Sequence, residues 1–588
     1  MGPTREEQSR KRKKKRVKKV KAAIAKLIPV VVAIGLIIAI GGIYYGRTLI
    51  ENVYYSSERK DLNEYYELFD ANDVAVFIQN SYIPEKAKYI GGACYFDLDT
   101  IGTLFNDRFY VNTEEAVVMY TTQTDIYEAF IGEENKSYTV NGEAKMFAHA
   151  PAVLYKEEVL ISAEFLQLFE SFVYEFYPTP NRMLLFTDAV TYPEAVVTKE
   201  TKIRVLGGVK SEIVADLATD DRIYILEEME KWSKVVSADG YMGYIENKRF
   251  EKEGEVVKTP VPEQVADGYT PMLMEDVINM GFHQVFSQKA NDTFESSVKD
   301  AAGMNVIAPT WFRVKDDEGT LESIADKNYV QKAHEKGMKV WAVYTDVDYS
   351  VDLEGILGVT AKRRALVDSM VAYALEYGID GINVDFETVK TETGADFAQF
   401  LRELSIQTHA NQLVLSVCNY APTASTEHYN RAEQGLVADY VVVMGYDEHW
   451  ATSEVAGSVA SIDFVEGGIQ RTIEAGVAAN RIINAIPFYT RLWKTENGQV
   501  SSEVKGMSAA KKWAEENGAE LIWDNMTCQY YAEAQVDGVY YQIWLEEEES
   551  IQTKLNVMKS NGVAGVAEWK LGFEEPEIWE IISAYQNS

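Results

Sequence analysis

In the stretch Ile382–Asn383–Val384–Asp385–Phe386–Glu387, polar residues alternate with apolar ones. A period of two turns Asn383, Asp385 and Glu387 to one face of a strand and leaves Ile382, Val384 and Phe386 on the other. Polar side chains in a row on an apolar strand carry a desolvation cost unless they serve a site. Two carboxylates held close together away from water keep a proton more tightly, through desolvation and like-charge repulsion. That is the property of a general acid, and Glu387 is the outermost of the three.

This face needs elements to position it. Residues 362–377 upstream have a helical pattern, with Leu366, Met370, Ala374 and Leu375 along one side and Gly378 as the stop. A helix, a glycine and a strand with carboxylates at its C-terminal end make one unit of a β/α enzyme. From about residue 266 strand candidates alternate with helical runs, at 284–286, 306–311, 339–344, 381–387, 413–419, 440–446, 482–489 and 562–569. Residues 326–335, carrying His334 as a surface residue, and 396–409 are clear helices between them. The pattern predicts a (β/α)8 TIM barrel over 266–588. A doubly wound sheet is the alternative, but no glycine-rich nucleotide loop follows any strand.

The run Asp380–Gly381–Ile382–Asn383–Val384–Asp385–Phe386–Glu387 resembles the active-site signature of glycoside hydrolase family 18, and the sequence is most similar to the spore-germination type of wall glycosidases within it. The resemblance covers about residues 266–588 and implies a barrel fold with Glu387 as general acid/base. It also implies that Asp385 orients the substrate N-acetyl group, which acts as nucleophile through an oxazolinium intermediate in retaining, substrate-assisted catalysis. Asp380 matches the first acidic position and is expected in the substrate-binding network. Asn383 departs from the aspartate common in chitinases, and an amide cannot share a charge with Asp385. Met444–Gly445–Tyr446–Asp447 resembles the family's Met-x-Tyr-Asp segment. By that resemblance Tyr446 contacts the N-acetyl carbonyl and Asp447 binds sugar hydroxyls. Trp569 closes strand eight, where the family places a tryptophan floor under the sugar. Gln284 on strand one and Tyr489 after strand seven are cleft candidates or structural residues. Cys418 has no His/Asn arrangement to make it a nucleophile. His449 lacks the spacing of a metal site, and the family's chemistry needs no metal or cofactor.

The insertion at about 490–561 holds Trp493, Trp513, Trp523, Tyr530, Tyr531, Tyr540, Tyr541 and Trp544. These aromatics either stack on sugar faces or fill a satellite core of an α+β insertion.

The rest of the chain reads as an address. With 588 residues there is room for several domains. A net charge of -34, despite a basic N-terminus, argues against nucleic acid as a partner of the body. Cys94, Cys418 and Cys528 form no disulfide framework. Residues 10–21 are nearly all Lys and Arg, and 27–45 carry no charge, about the shortest length that spans a bilayer. A retained transmembrane helix with residues 1–26 in the cytoplasm is expected, leaving the chain from about 47 outside the cell membrane. A cleaved signal peptide is the rival, but the apolar run is long for one and no clear cleavage site follows.

Residues 48–195 read as a duplicated α+β accessory region, which resembles the N-terminal domain of copper amine oxidases and serves as a spacer or wall-binding module. Residues 198–253 hold short strands around turns at Gly207–Gly208 and Asp239–Gly240 and resemble a bacterial SH3 domain. Trp232 and Tyr244 form a binding face there or fill its core. Residues 254–265 read as a linker. The expected function is a membrane-anchored glycoside hydrolase cleaving β-1,4 bonds next to N-acetylglucosamine in peptidoglycan or a chitin-like glycan. A chitinase and a catalytically silent, lectin-like wall binder are the alternatives.

Overall fold

The computed structural model describes residues 54–265, 268–347 and 349–587, together with 29–46 and single positions 14, 16, 18 and 27. The expected cytoplasmic tail lies outside the described residues apart from three positions, as do residues 47–53. Pro29–Gly46 is an exposed apolar helix, long enough to cross a membrane by length and composition. Contacts divide the chain into two units, Met1–Phe96 with Ala163–Gln264, and Asp97–Ser162 with Val265–Ser588. The stretch read as one accessory region therefore contributes to both.

In the first unit, Asp73–Ile78 pairs in parallel with Arg182–Phe186 and antiparallel with Ser81–Ile90. Tyr66, Ala75, Phe77, Leu184, Phe186 and Tyr192 pack together over this sheet. A second sheet has seven strands, with Val190–Val197 between Arg222–Glu228 and Phe250–Lys258. Its other strands are Thr201–Arg204, Ile213–Leu217, Trp232–Ser237 and Met242–Glu246, around a core of Val197, Ile203, Ile223, Val235 and Ile245. The strand that ends at Lys258 runs into the stretch read as a linker.

The second unit is built on eight parallel strands: β1 (Ile278–His283), β2 (Val306–Val314), β3 (Lys339–Thr345), β4 (Gly381–Asp385), β5 (Val414–Tyr420), β6 (Tyr440–Met444), β7 (Ile482–Pro487) and β8 (Gly565–Trp569). Each pairs with the next, and β8 pairs with β1, so the sheet closes on itself as in a (β/α)8 barrel. Met280, Ala308, Trp341, Val343, Cys418, Val442, Ala485 and Ala567 fill the interior. Ile382, Val384 and Phe386 face outward into the larger core beneath the helices. The alternation in β4 therefore turns Asn383, Asp385 and Glu387 inward.

Around the barrel run α1 (Lys327–Glu335), α2 (Thr360–Tyr377), α3 (Gly394–Ala410) and α4 (Arg431–Val437), among others. Helix α2 buries Leu366, Met370 and Ala374 and stops at Gly378, whose φ of 72° is the left-handed conformation that glycine takes without strain. Gly381 opens β4 because a Cβ there would lie 2.6 Å from the Trp341 ring and 2.9 Å from the Val414 carbonyl oxygen.

Two strand assignments change. Strand one lies at Ile278–His283 rather than 284–286, because Ile278, Met280 and Phe282 alternate into the barrel while Phe286 is exposed. Gly562 ends a helix with φ 67°, so β8 starts later, at Gly565.

Residues 110–146 form a meander of five short antiparallel strands in this unit. Arg108 and Arg402 share the buried Glu433 carboxylate at 3.3 and 2.6 Å. Burial raises the proton affinity of Glu433, but the two arginines outweigh it and hold the carboxyl below its usual range. Tyr110 donates to Asp396 at 2.6 Å and Arg363 pairs with Glu403 at 2.9 Å. Between β7 and β8 lies the insertion, a five-stranded antiparallel sheet from Tyr489–Glu496 to Val539–Leu545 with the helix Met507–Glu516. Trp513, Tyr530 and Tyr541 pack against Leu492, Ala510, Ala514 and Ile543, and Trp493 is buried, so these aromatics form a satellite core.

Candidate active site

The C-terminal ends of the strands gather most of the residues singled out in the sequence. Asp385 ends β4, and Glu387 follows two residues on. Burial, then the neighbouring Glu387 and Asp346 carboxylates, push the Asp385 carboxyl well up; the Cys418 thiol partly offsets this. Glu387 is also pushed up, first by burial and then by the charges of Asp346 and Asp447, against a hydrogen bond from Tyr420 that favours the carboxylate. The outer carboxyl is thus biased toward the protonated form, with an oriented phenol beside it.

Two contributors lay outside the sequence reading. Asp346, one residue past β3, is fully buried. It accepts from the Glu387 backbone N–H at 2.8 Å and from the Thr388 N–H at 3.0 Å and hydroxyl at 2.5 Å. That fixes the backbone carrying Glu387, while its charge acts on both carboxyls. Tyr420, the last residue of β5, donates its hydroxyl to Glu387 Oε2. The available signal for both was position at a barrel strand end.

Asn383 is buried beneath Asp385. Its Nδ2 donates to Ser416 Oγ at 2.8 Å and its Oδ1 accepts from the Cys418 thiol at 3.2 Å. Cys418 therefore belongs to the polar interior below the carboxylates. Tyr446 lies just beyond β6 and meets Tyr489 edge-on, ring centroids 6.2 Å apart. Burial, followed by the neighbouring Tyr489, Cys418, Asp385 and Glu387, raises its phenol well above the usual range, so it stays a neutral donor. Tyr489 donates to Asp447 Oδ1 at 2.6 Å, which orients the exposed Asp447 carboxylate. Trp569 ends β8 with its ring 5.4 Å from Phe282. Gln284 lies one residue past β1 and accepts from Lys570 Nζ at 2.7 Å.

Asp380 does not join this group. It precedes β4, at the opposite end of the strand. There it accepts from the Val340 N–H at 2.9 Å and pairs with His334 Nε2 at 2.7 Å and Lys339 Nζ at 3.0 Å. A five-residue strand separates it from the mouth, so the expected substrate contact gives way to a brace across β3, β4 and α1. His334 has its partner here. His449 holds the Ser458 carbonyl through Nδ1 at 2.9 Å, an anchor for its loop.

A closed β/α barrel with paired inward carboxylates at its C-terminal mouth has the layout of a hydrolase acting by acid/base chemistry. The chain belongs to the glycosyl hydrolases of family 18, whose model matches residues 241–574, and it is a glycoside hydrolase. It is 29% identical over 307 residues to the uncharacterized glycosylase YvbX of Bacillus subtilis strain 168, covering 49% of this chain and 87% of that one. It is 25% identical over 288 residues to the cortical fragment-lytic enzyme of Bacillus anthracis, covering 46% of this chain and 65% of that one. The solved chitinase of Chromobacterium violaceum ATCC 12472 aligns with a TM-score of 0.48 and 22% identity, over 53% of this chain and 99% of that one.

Proposed function

We propose that this protein is a retaining, substrate-assisted hydrolase of peptidoglycan glycan, cutting β-1,4 bonds next to N-acetylglucosamine. The observation that carries the reading is the Asp385–Glu387 pair, half-buried together at the barrel mouth, with the Glu387 carboxyl pushed up by desolvation and neighbouring charges. In the proposed reaction, Glu387 donates its proton to the glycosidic oxygen as the bond to C1 breaks. The N-acetyl carbonyl oxygen of the same sugar attacks C1 and forms an oxazolinium ion. Asp385 orients the N-acetyl group and balances the developing charge, and Tyr446 donates to its carbonyl. Trp569 floors the sugar, while Asp447, held by Tyr489, takes a hydroxyl. The Glu387 carboxylate then removes a proton from water, which opens the oxazolinium and regenerates the acid. Asn383 contributes by supporting the floor below Asp385, and no step uses a metal or cofactor.

Similarity to an enzyme named as cortical fragment-lytic supports wall-type glycan over chitin. The apolar helix Pro29–Gly46 supports a single-pass anchor in the cell membrane, with the rest of the chain extracytoplasmic. The SH3-like reading is proposed for the seven-stranded sheet from Val190 to Lys258, which takes in the strand Phe250–Lys258 that overlaps the stretch read as a linker. Reducing ends released from purified peptidoglycan test the reading. Wild type generates new N-acetylglucosamine reducing ends, and Glu387→Gln loses about 10²–10⁴-fold in rate, the range for removing a general acid. Undiminished cleavage by Glu387→Gln would overturn the assignment.

A further inference from the structure

Beside Trp569 stands a cation whose hydrogen-bond partner among the described residues is neutral. Lys570 leaves β8 and hydrogen-bonds to the Gln284 side-chain oxygen, past the end of β1. No carboxylate of the described residues lies within 4.0 Å of its ammonium. The chain has 91 Asp and Glu against 57 Lys and Arg, so a lysine without an acidic partner runs against its composition. The ammonium lies 4.5 Å from the Phe573 ring centroid and 5.8 Å from that of Phe286. Those rings and Gln284 hold the side chain in place, and among the described residues one of its three N–H donors is committed, to Gln284. Partial burial lowers the proton affinity of Lys570, as it does for any ammonium withdrawn from water, and an anion there is screened less than at an open surface. Phe286, three residues past β1, is 70% exposed and presents a flat apolar face beside Lys570.

We propose that Lys570 and Phe286 form a subsite, next to the sugar over Trp569, for an amino sugar carrying a carboxylate on an ether substituent of its ring. Phe286 stacks against the ring, and Lys570 pairs with the carboxylate while Gln284 holds the ammonium in register. Such a sugar alternates with N-acetylglucosamine in peptidoglycan and is absent from chitin, so the subsite distinguishes the two polymers. The inference rests on the glycan-hydrolase reading and deepens it by naming a specificity-determining residue.

Full-length enzyme is assayed on peptide-free glycan chains of alternating N-acetylglucosamine and carboxylated sugar, and on the same chains after chemical reduction of the carboxylate to an alcohol. Wild type loses about tenfold in kcat/KM on the reduced chains, mainly through KM, as expected for one charge-assisted hydrogen bond. Lys570→Met shows the same loss on the carboxylated chains, Lys570→Arg recovers most of it, and the wild-type advantage over Lys570→Met collapses on the reduced chains. Equal wild-type kcat/KM on both chains, or an equal loss by Lys570→Met on both, overturns the subsite and leaves the hydrolase reading standing. Absence of cleavage of either chain by wild type overturns both.

Discussion

Strand β4 has carboxylates at both ends, and their surroundings are opposite in kind. At its start, Asp380 meets a lysine, a histidine and a backbone N–H. At and just past its end, Asp385 and Glu387 meet the charges of Asp346 and Asp447, with a thiol and a phenol as favourable neighbours. The first arrangement satisfies a charge and ties elements together. The second withholds compensation, so proton affinity rises and stability is given up locally. One residue type therefore serves as a brace or as a proton donor according to its partners, along a strand of five residues.

Substitution at each end separates these roles. Asp385→Asn lowers kcat by about 10²–10³-fold, the effect of losing one preorganised electrostatic group. Its unfolding midpoint stays level or rises, because a partly desolvated carboxyl among like charges is removed. A large loss of stability would mean that Asp385 is a structural residue. Asp380→Asn does the reverse. Cleavage stays within about twofold of wild type, and denaturant unfolding shows a loss of about 1–2 kcal/mol, reduced from the buried-pair range because the partners are partly exposed. A selective loss of activity in folded Asp380→Asn would return this residue to the substrate network.

How far the sequence revealed this contrast follows from what each residue depends on. Asn383, Asp385 and Glu387 share a face because strand geometry forces it, and an alternating pattern displays that geometry directly. Gly378 and the apolar side of α2 are local in the same way. Asp380 belongs to the same signature, yet its role depends on which strand end it occupies. It lies seven positions before Glu387, and that spacing puts it at the opposite end of the barrel. Asp346 and Tyr420 act through space from neighbouring strands, so spacing along the chain gives them no mark. Strand one is poorly marked in the sequence because Ile278–His283 carries Gly281 and two polar residues that face away from the interior, whereas 284–286 offers a valine and a phenylalanine. Arg108 and Glu433 lie 325 residues apart, and nothing local to either predicts their pairing.

The smallest effects test how the reactive end sets its proton affinity. As a general acid, Glu387 must be protonated, so kcat/KM falls as pH rises through its pKa. The Tyr420 hydrogen bond favours the carboxylate, so Tyr420→Phe raises that pKa and moves the alkaline limb to higher pH, by roughly one unit for one charge-assisted hydrogen bond. The Asp447 charge acts in the other direction, since it disfavours a second negative charge. Asp447→Asn therefore lowers the Glu387 pKa and moves the limb to lower pH, by only about a few tenths of a unit because Asp447 is exposed and screened. Opposite displacements, larger for Tyr420→Phe, are the signature of a proton held on Glu387 itself. Displacements of the same sign would show that the limb reports another group, and the contrast between the two ends of β4 would then lose its electrostatic basis.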